Sequence, residues 1–291
     1  MADTLNLVNP NDTLSCKYEI SKFPDGQQSI RILEHNYNTY YSLQEQKTPI
    51  IIKSRLNNFQ DLELIICANQ ALKEIGVKSV ILYIPYCIGG RSDRKFQEGG
   101  INYIKTVIAP IINSQNFDEV RIMDPHSDVL EACINNFVKY TNFELSRMSL
   151  SDIVKEGGTK DSVCLVSPDA GAYKKIFDVA TWFGIKEIIT ASKVRDISTG
   201  KILRTEVPSI KHHSDKMKYL IVDDICDGGR TFIELAKVIK EKKPKTKIYL
   251  VVTHGIFSAG FSELNNYFEK IYTTNSIKDI EETNVKQLNI F

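Results

Sequence analysis

Between residues 219 and 231 the sequence reads Tyr-Leu-Ile-Val-Asp-Asp-Ile-Cys-Asp-Gly-Gly-Arg-Thr, an apolar run that meets two adjacent carboxylates, then a third, a glycine pair and a hydroxyl. Gly228 and Gly229 let backbone N–H groups converge on an anion. Thr231 supplies a hydroxyl donor, and a helix starting near Thr231 adds the partial positive charge of its N-terminus. Asp223 and Asp224, at the carboxyl end of the strand, can accept hydrogen bonds from the 2- and 3-hydroxyls of a ribose, so the run suits a ribose phosphate. A plain Asp N-cap and glycine turn would explain one Asp and one Gly but not the whole run.

Met123-Asp-Pro-His-Ser127 closes a strand with a carboxylate and an imidazole, both able to reach a metal-bound triphosphate beyond a sheet edge. Mg²⁺ prefers oxygen and keeps its waters, which makes Asp124 the easier ligand on chemical grounds; a lone His126 in a turn also has a purely structural reading. Asp169, in Ser-Pro-Asp-Ala-Gly, occupies a similar strand-to-helix turn, where an N-cap is the alternative. Arg91, Ser92, Asp93 and Arg94 follow an apolar strand. Planar guanidinium groups there can engage phosphate and adenine while Asp93 orients them, and a solvated basic loop is the competing account. Lys193 and Arg195 alternate, which in extended chain puts both cations on one side; alone, such a pair is ordinary surface charge. His212 and His213 adjoin in a polar stretch without the His or acidic partners that a closed metal site needs, and are not expected to bind metal.

The elements that must position these residues follow a repeating rhythm. Ile- and Val-rich runs alternate with segments of helical period, the pattern of βαβ units around mainly parallel sheets. Strands are expected at Gln28 to Leu33, Ile50 to Lys53, Ser79 to Ile84 and Glu119 to Met123. A helix from Asn58 to Ile75 is closed by Gly76, and another runs from about Tyr103 to Asn113. A second cycle places strands at Ser162 to Val166, Lys186 to Thr190, Lys218 to Val222 and Lys247 to Val252. The expected division is 1–144 and 145–291, two similar α/β domains, as the length of 291 residues allows.

Lys plus Arg number 37 against 36 Asp plus Glu, which predicts no general attraction to nucleic acid or membrane. No run approaches the roughly 20 apolar residues of a membrane span, and the N-terminus lacks the pattern of a secretory signal; both point to a cytoplasmic protein. The 6 cysteines form no CxxC pair and read as free core thiols.

The 219–231 run resembles the ribose-phosphate-binding loop of the phosphoribosyltransferase fold. Five more segments extend the likeness over nearly the whole chain to the ribose-phosphate pyrophosphokinase (phosphoribosyl pyrophosphate synthetase) family: Ser21-Lys-Phe-Pro-Asp-Gly-Gln27, Ile84-Pro-Tyr-Cys-Ile-Gly-Gly-Arg-Ser-Asp-Arg94, Met123-Asp-Pro-His-Ser127, Val166-Ser-Pro-Asp-Ala-Gly171 and Thr253-His-Gly-Ile-Phe-Ser258. The resemblance implies two phosphoribosyltransferase-like domains and an enzyme that uses ATP and Mg²⁺. It places Asp124 and His126 at the metal and the ATP, Asp169 near ribose and a second metal position, and Asp223, Asp224, Asp227, Gly228, Gly229, Arg230 and Thr231 around the ribose phosphate. Arg91, Ser92, Asp93 and Arg94 become part of the ATP site. Phe23, Asp25 and Gln27 resemble an adenine-contacting loop supplied by a neighbouring subunit, which implies a homo-oligomer. Lys193 and Arg195 fall in the catalytic flexible loop. The implied reaction is in-line attack of the ribose 1-hydroxyl on the β-phosphorus of ATP with AMP leaving, driven by positioning and electrostatics.

The match has departures. Cys87 to Gly90 and Ser92 replace an aromatic-proline sequence and Gln, Gln27 stands where Glu is common, and the chain ends without the family's C-terminal helix. Arg230 stands where a small residue is usual, and its guanidinium could meet an extra phosphate of a larger acceptor. Ribose 5-phosphate is the leading acceptor and ADP-ribose the second, the latter pointing to NAD salvage. A phosphoribosyltransferase and an inactive regulatory subunit are further alternatives, and neither needs all of these loops together.

Overall fold

In the computed structural model, residues 3–12, 15–33, 49–195, 202–208 and 210–291 are described; the side chains of 193–195 and 202–204 lie outside that description. The chain divides into two compact units, Met1–Thr141 together with Phe291, and Asn142–Ile290. The cut falls at the start of a helix whose first residue, Phe143, packs against Trp182 at a centroid distance of 4.9 Å and so belongs to the second core. Among the described residues no helix is long and apolar enough to cross a membrane.

The first unit holds β1 (Asp3–Asn6), the hairpin β2 (Tyr18–Lys22) and β3 (Gln28–Ile32), β4 (Ile50–Lys53), α1 (Phe59–Glu74) and β5 (Val80–Tyr83). A π-helical turn at Ile104–Ile108 leads into α2 (Ala109–Ser114), followed by β6 (Glu119–Met123), α3 (Val129–Cys133) and β7 (Phe137–Tyr140). The strands β1-β4-β5-β6-β7 form one sheet in that order, all parallel. Helix α1 starts where the sequence predicts because Asn58 and Asp61 close a capping box: Asn58 Oδ1 accepts from the amides of Gln60 and Asp61 at 2.8 and 3.0 Å. Its buried face, Leu62, Ile65 and Leu72, packs with Ile50, Ile52 and Leu82 of the sheet. The helix expected at 103–113 opens instead as a π turn. Pro110 has no N–H to give to the carbonyl four residues back, and the widened turn accommodates its ring.

The second unit contains α4 (Phe143–Lys155), β8 (Val163–Ser167), α5 (Tyr173–Phe183), β9 (Glu187–Thr190), a ribbon of β10 (Ser192–Arg195) and β11 (Ile202–Glu206), β12 (Lys218–Cys226), α6 (Arg230–Lys242), β13 (Ile248–Gly255), β14 (Lys270–Thr274) and β15 (Val285–Leu288). Six parallel strands pair in the order β15-β14-β13-β12-β8-β9. Its near-continuous apolar strands are covered on both faces, as parallel strands are. Alternate residues divide between two cores: Tyr219, Ile221 and Leu250 in one, Leu220, Val222 and Tyr249 in the other. β12 continues four residues past the expected Val222, still in register with β13 through Cys226↔Gly255, whereas its pairing with β8 ends at Ile221↔Val166.

Candidate functional site

The strand order of the second unit reverses between β8 and β12. From β8 the chain goes outward to β9, and from β12 it goes the other way to β13, β14 and β15. Such a switch point leaves a crevice beyond the carboxyl ends of the strands, where open α/β sheets bind ligands. The acidic residues singled out from the sequence converge there: Asp169 just after β8, and Asp223 and Asp224 within the extension of β12.

Asp224 is buried at 5% exposure, and Asp223 is half-buried. Burial raises the Asp223 carboxyl well above the ordinary carboxylate range, and the adjoining Asp224 and then Asp169 push it further in the same direction. Lys175 of α5 places its Nζ 3.8 Å from Asp224 Oδ1, a counter-ion that no sequence motif signalled. It is recognisable only once α5 packs on the sheet. Asp169 Oδ1 accepts from the amides of Gly171 and Ala172 at 3.1 and 3.3 Å, so one of its oxygens shapes the turn before α5. The N-cap of α5 is Ala172, without a side-chain bond, so Asp169 shapes the turn and does not cap the helix.

The turn from Asp227 to Thr231 is held from the side. Cys226 O accepts the amides of Ile256 and Phe257 at 2.9 and 3.2 Å, and Ser258 Oγ donates to Asp227 Oδ1 at 2.7 Å. The Thr253–Ser258 segment thus fixes the loop from β13. His254 is buried with Nδ1 2.9 Å from Ser276 Oγ, a packing role. Gly229 caps α6 at φ +80°, and a Cβ there would lie 3.0 Å from Leu264 Cδ2, so both its conformation and its surroundings call for glycine. Arg230, the first residue of α6, is exposed, and Thr231 is half-buried. The helix therefore starts one residue before Thr231, and its first-turn amides lie at the end of this braced turn, the arrangement that favours an anion.

Lys193 and Arg195 have backbone positions in β10, but their side chains lie outside the described residues. The pairing of β10 with β11 shifts register between Val194 and Arg195, with the extra residue, Leu203, on β11.

In the first unit, Asp124 follows β6 at φ +42°, is 4% exposed, and donates its amide to Tyr140 O at 2.7 Å. A non-glycine residue in the left-handed region is a local strain that sites commonly hold. His126, two residues on, is exposed. In the loop after β5, Ser92 O accepts the amide of Tyr103 at 3.1 Å and Asp93 O accepts Asn102 Nδ2 at 2.6 Å. Arg91 is exposed; Arg94, also exposed, lies 3.8 Å from Asp93 Oδ1 and 5.3 Å over the Phe96 ring. The departure at Cys87 to Gly90 has a packing account, since a Cβ at Gly89 would run into the Tyr103 ring. Phe23, Asp25 and Gln27 form the exposed tip of the β2–β3 hairpin; Phe23 N–H donates to Gln27 O at 2.8 Å and Asp25 Oδ1 accepts the amide of Gln27 at 3.1 Å.

The fold and this switch-point site define a two-unit α/β protein of the phosphoribosyltransferase type. Residues 205–290 match the phosphoribosyl synthetase-associated domain. Ribose-phosphate pyrophosphokinases from Pyrococcus abyssi and Thermosipho africanus are 28% and 27% identical, each over 89% of this chain and covering 84% and 78% of those proteins. Phosphoribosylpyrophosphate synthetase from Mycobacterium smegmatis superposes with a TM-score of 0.76 at 17% identity, covering 94% of this chain and 86% of its own. Over nearly its whole length the chain is thus similar to ribose-phosphate pyrophosphokinases.

Proposed function

We propose that this chain transfers the diphosphoryl group of ATP to the anomeric hydroxyl of ribose 5-phosphate, giving phosphoribosyl pyrophosphate and AMP. The observation that carries this reading is the convergence of Asp169, Asp223 and Asp224 with the Asp227–Thr231 turn at the switch point of the second sheet. The turn and the start of α6 hold the 5-phosphate through backbone amides and the Thr231 hydroxyl. Asp223 and Asp224 accept the 2- and 3-hydroxyls and fix the ribose ring, while Lys175 offsets one of the two charges.

Asp124, His126, Arg91, Ser92, Asp93 and Arg94 take the ATP side, with Phe23, Asp25 and Gln27 supplied to the adenine of a neighbouring copy. A carboxylate oxygen at Asp124 suits Mg²⁺, a hard ion, with His126 beside it by resemblance, and Asp169 offers a carboxylate to a second metal position. Bound there, magnesium supplies charge neutralisation to the phosphates. Lys193 and Arg195 stabilise the charge that develops as the oxygen of the 1-hydroxyl bonds to the β-phosphorus and the bond to the α-phosphate oxygen breaks.

Purified protein with ATP and Mg²⁺, offered ribose 5-phosphate and ADP-ribose in parallel, is expected to form AMP and a new diphosphate ester with ribose 5-phosphate, read by mass spectrometry. AMP with neither acceptor refutes the reading. A second reading, transfer to ADP-ribose, draws on the exposed Arg230 at the first position of α6, free to meet a phosphate beyond the ribose. Arg230→Gly should then weaken use of ADP-ribose more than use of ribose 5-phosphate; equal effects remove this reading.

A further inference from the structure

At the amino ends of the strands in the second unit, opposite the carboxyl-end crevice, Glu187, His212 and His213 come together. Each offers one ligand atom, and these atoms all lie within 4.8 Å of one another. The sheet register creates the group: Tyr219 pairs with Cys164, and Cys164 with Glu187, so the three stand side by side across β12, β8 and β9. Two consecutive turns, closed by His213 N–H to Ile210 O at 3.1 Å and Met217 N–H to Ser214 O at 2.9 Å, then lay the two histidines over that row. The acidic partner that the two histidines lack in sequence is thus supplied by folding.

His213 is set up as a ligand. It is 5% exposed, its Nδ1 lies 2.9 Å from Tyr219 Oη, and its Nε2 faces Glu187 Oε2 at 3.8 Å. A histidine held at one ring nitrogen by a fixed oxygen presents the other in a defined orientation, as metal-binding histidines do. Burial lowers the His213 pKa, and the neighbouring His212 adds to this. Glu187 opposes that shift and Lys243 assists it. Lys243 is itself engaged with His213 O at 2.6 Å and Asp215 at 3.1 Å. The His212 ring stands edge-on to His213 with centroids 4.4 Å apart, on the solvent side.

We propose that Glu187, His212 and His213 bind a zinc-class divalent cation. Two imidazoles and a carboxylate are a borderline-soft donor set that suits Zn²⁺ rather than Mg²⁺. Tetrahedral ligands at about 2.0–2.1 Å stand about 3.4 Å from one another. The His213–Glu187 separation is close to this, and the exposed His212 and Glu187 side chains supply the remaining closure. The ion would tie the 210–217 segment, which follows the β10–β11 ribbon, to β9, and would leave its fourth position to water.

Metal-free full-length protein should be titrated with Co²⁺ as a spectroscopic probe and then with Zn²⁺, beside His212→Ala and Glu187→Gln, both surface changes that leave the buried His213 in place. Wild type is expected to show the visible absorption of four-coordinate Co²⁺, discharged by one equivalent of Zn²⁺ and untouched by a large excess of Mg²⁺. Each variant should bind at least about 10-fold more weakly, and only wild type should gain thermal stability from Zn²⁺. A wild type without the absorption, or variants with the same affinity and stoichiometry as wild type, would overturn the proposal. A metal held elsewhere, for instance at His126, would survive both substitutions and so give that second result.

Discussion

Replacing Gly229 with alanine tests whether the turn before α6 is built around a residue without a side chain, and Gly184 in the same unit provides the comparison. Gly184 closes α5 at φ +69° and ψ +33°, with nothing within 4 Å of an added Cβ. Its alanine variant suffers only the left-handed backbone, about 1 kcal/mol. Gly229 has a similar φ of +80°, but its added Cβ would meet Leu264 Cδ2, Cγ and Cδ1 at 3.0, 3.3 and 3.4 Å, and Leu264 is buried in the core. Overpacking of that kind adds about 1–3 kcal/mol. Gly229→Ala should therefore cost about 2–4 kcal/mol, or about 4–16 °C in Tm for a unit of this size, against about 2–4 °C for Gly184→Ala. Calorimetry on the full chain reads the stability, and equilibrium binding of ribose 5-phosphate reads the site. Binding should fall at least about 10-fold in Gly229→Ala, as the helix start shifts to make room, and hold in Gly184→Ala. Equal melting shifts, or unaltered acceptor binding in Gly229→Ala, would refute the argument that this turn is a close-packed anion cradle.

Asp223 gives a pH signature. Burial first, then Asp224, raise its folded-state pKa, so the folded chain keeps a proton that the unfolded chain releases. The associated stability is complete below the ordinary carboxylate range and is lost as pH rises through the folded-state value. In magnesium-free buffer Asp223→Asn should lack this decline and melt higher than wild type at pH 8, by about 2–4 °C for roughly 1 kcal/mol, while losing acceptor binding; parallel melting profiles against pH would sink this account. Lys193→Ala should lower turnover roughly a hundred- to a thousand-fold while sparing acceptor binding, as followed by AMP release and by titration with ribose 5-phosphate; unchanged turnover removes the ribbon from the mechanism.

Much of the second unit is legible because chemistry and pattern coincide at 219–231. The apolar run must be a buried strand, the glycines must end it, and carboxylates at that end are costly unless used. The extension of β12 to Cys226 is not legible, since Asp223 and Asp224 read as the end of a strand until β13 is seen to pair beside them. Lys175 is invisible for another reason: on α5 it is one more polar residue, and only packing brings it to Asp224. Glu187 lies 25 positions from His212, and their meeting depends on a three-strand register that no local spacing encodes. The short strands β1, β7, β14 and β15 escape notice because polar residues break up their apolar runs, unlike the Ile- and Val-rich β4 and β5 of similar length.

The reversal of strand order also governs how the second unit is assembled during synthesis. β8 and its neighbour β12 are separated by 55 positions, Val163 against Lys218, with α5, β9 and the whole β10–β11 ribbon threaded between them. Contacts so far apart in the chain form late, because the intervening loop must be closed before they give any return in stability. A nascent chain released up to β11 can complete the β8–β9 pair yet has no partner for the inner edge of β8. Asp169 meets Asp223 and Asp224 only after that edge is filled. The acidic crevice is thus among the last features to form, and a bound sugar phosphate, recognising only the completed arrangement, would pull the final step of folding forward by mass action.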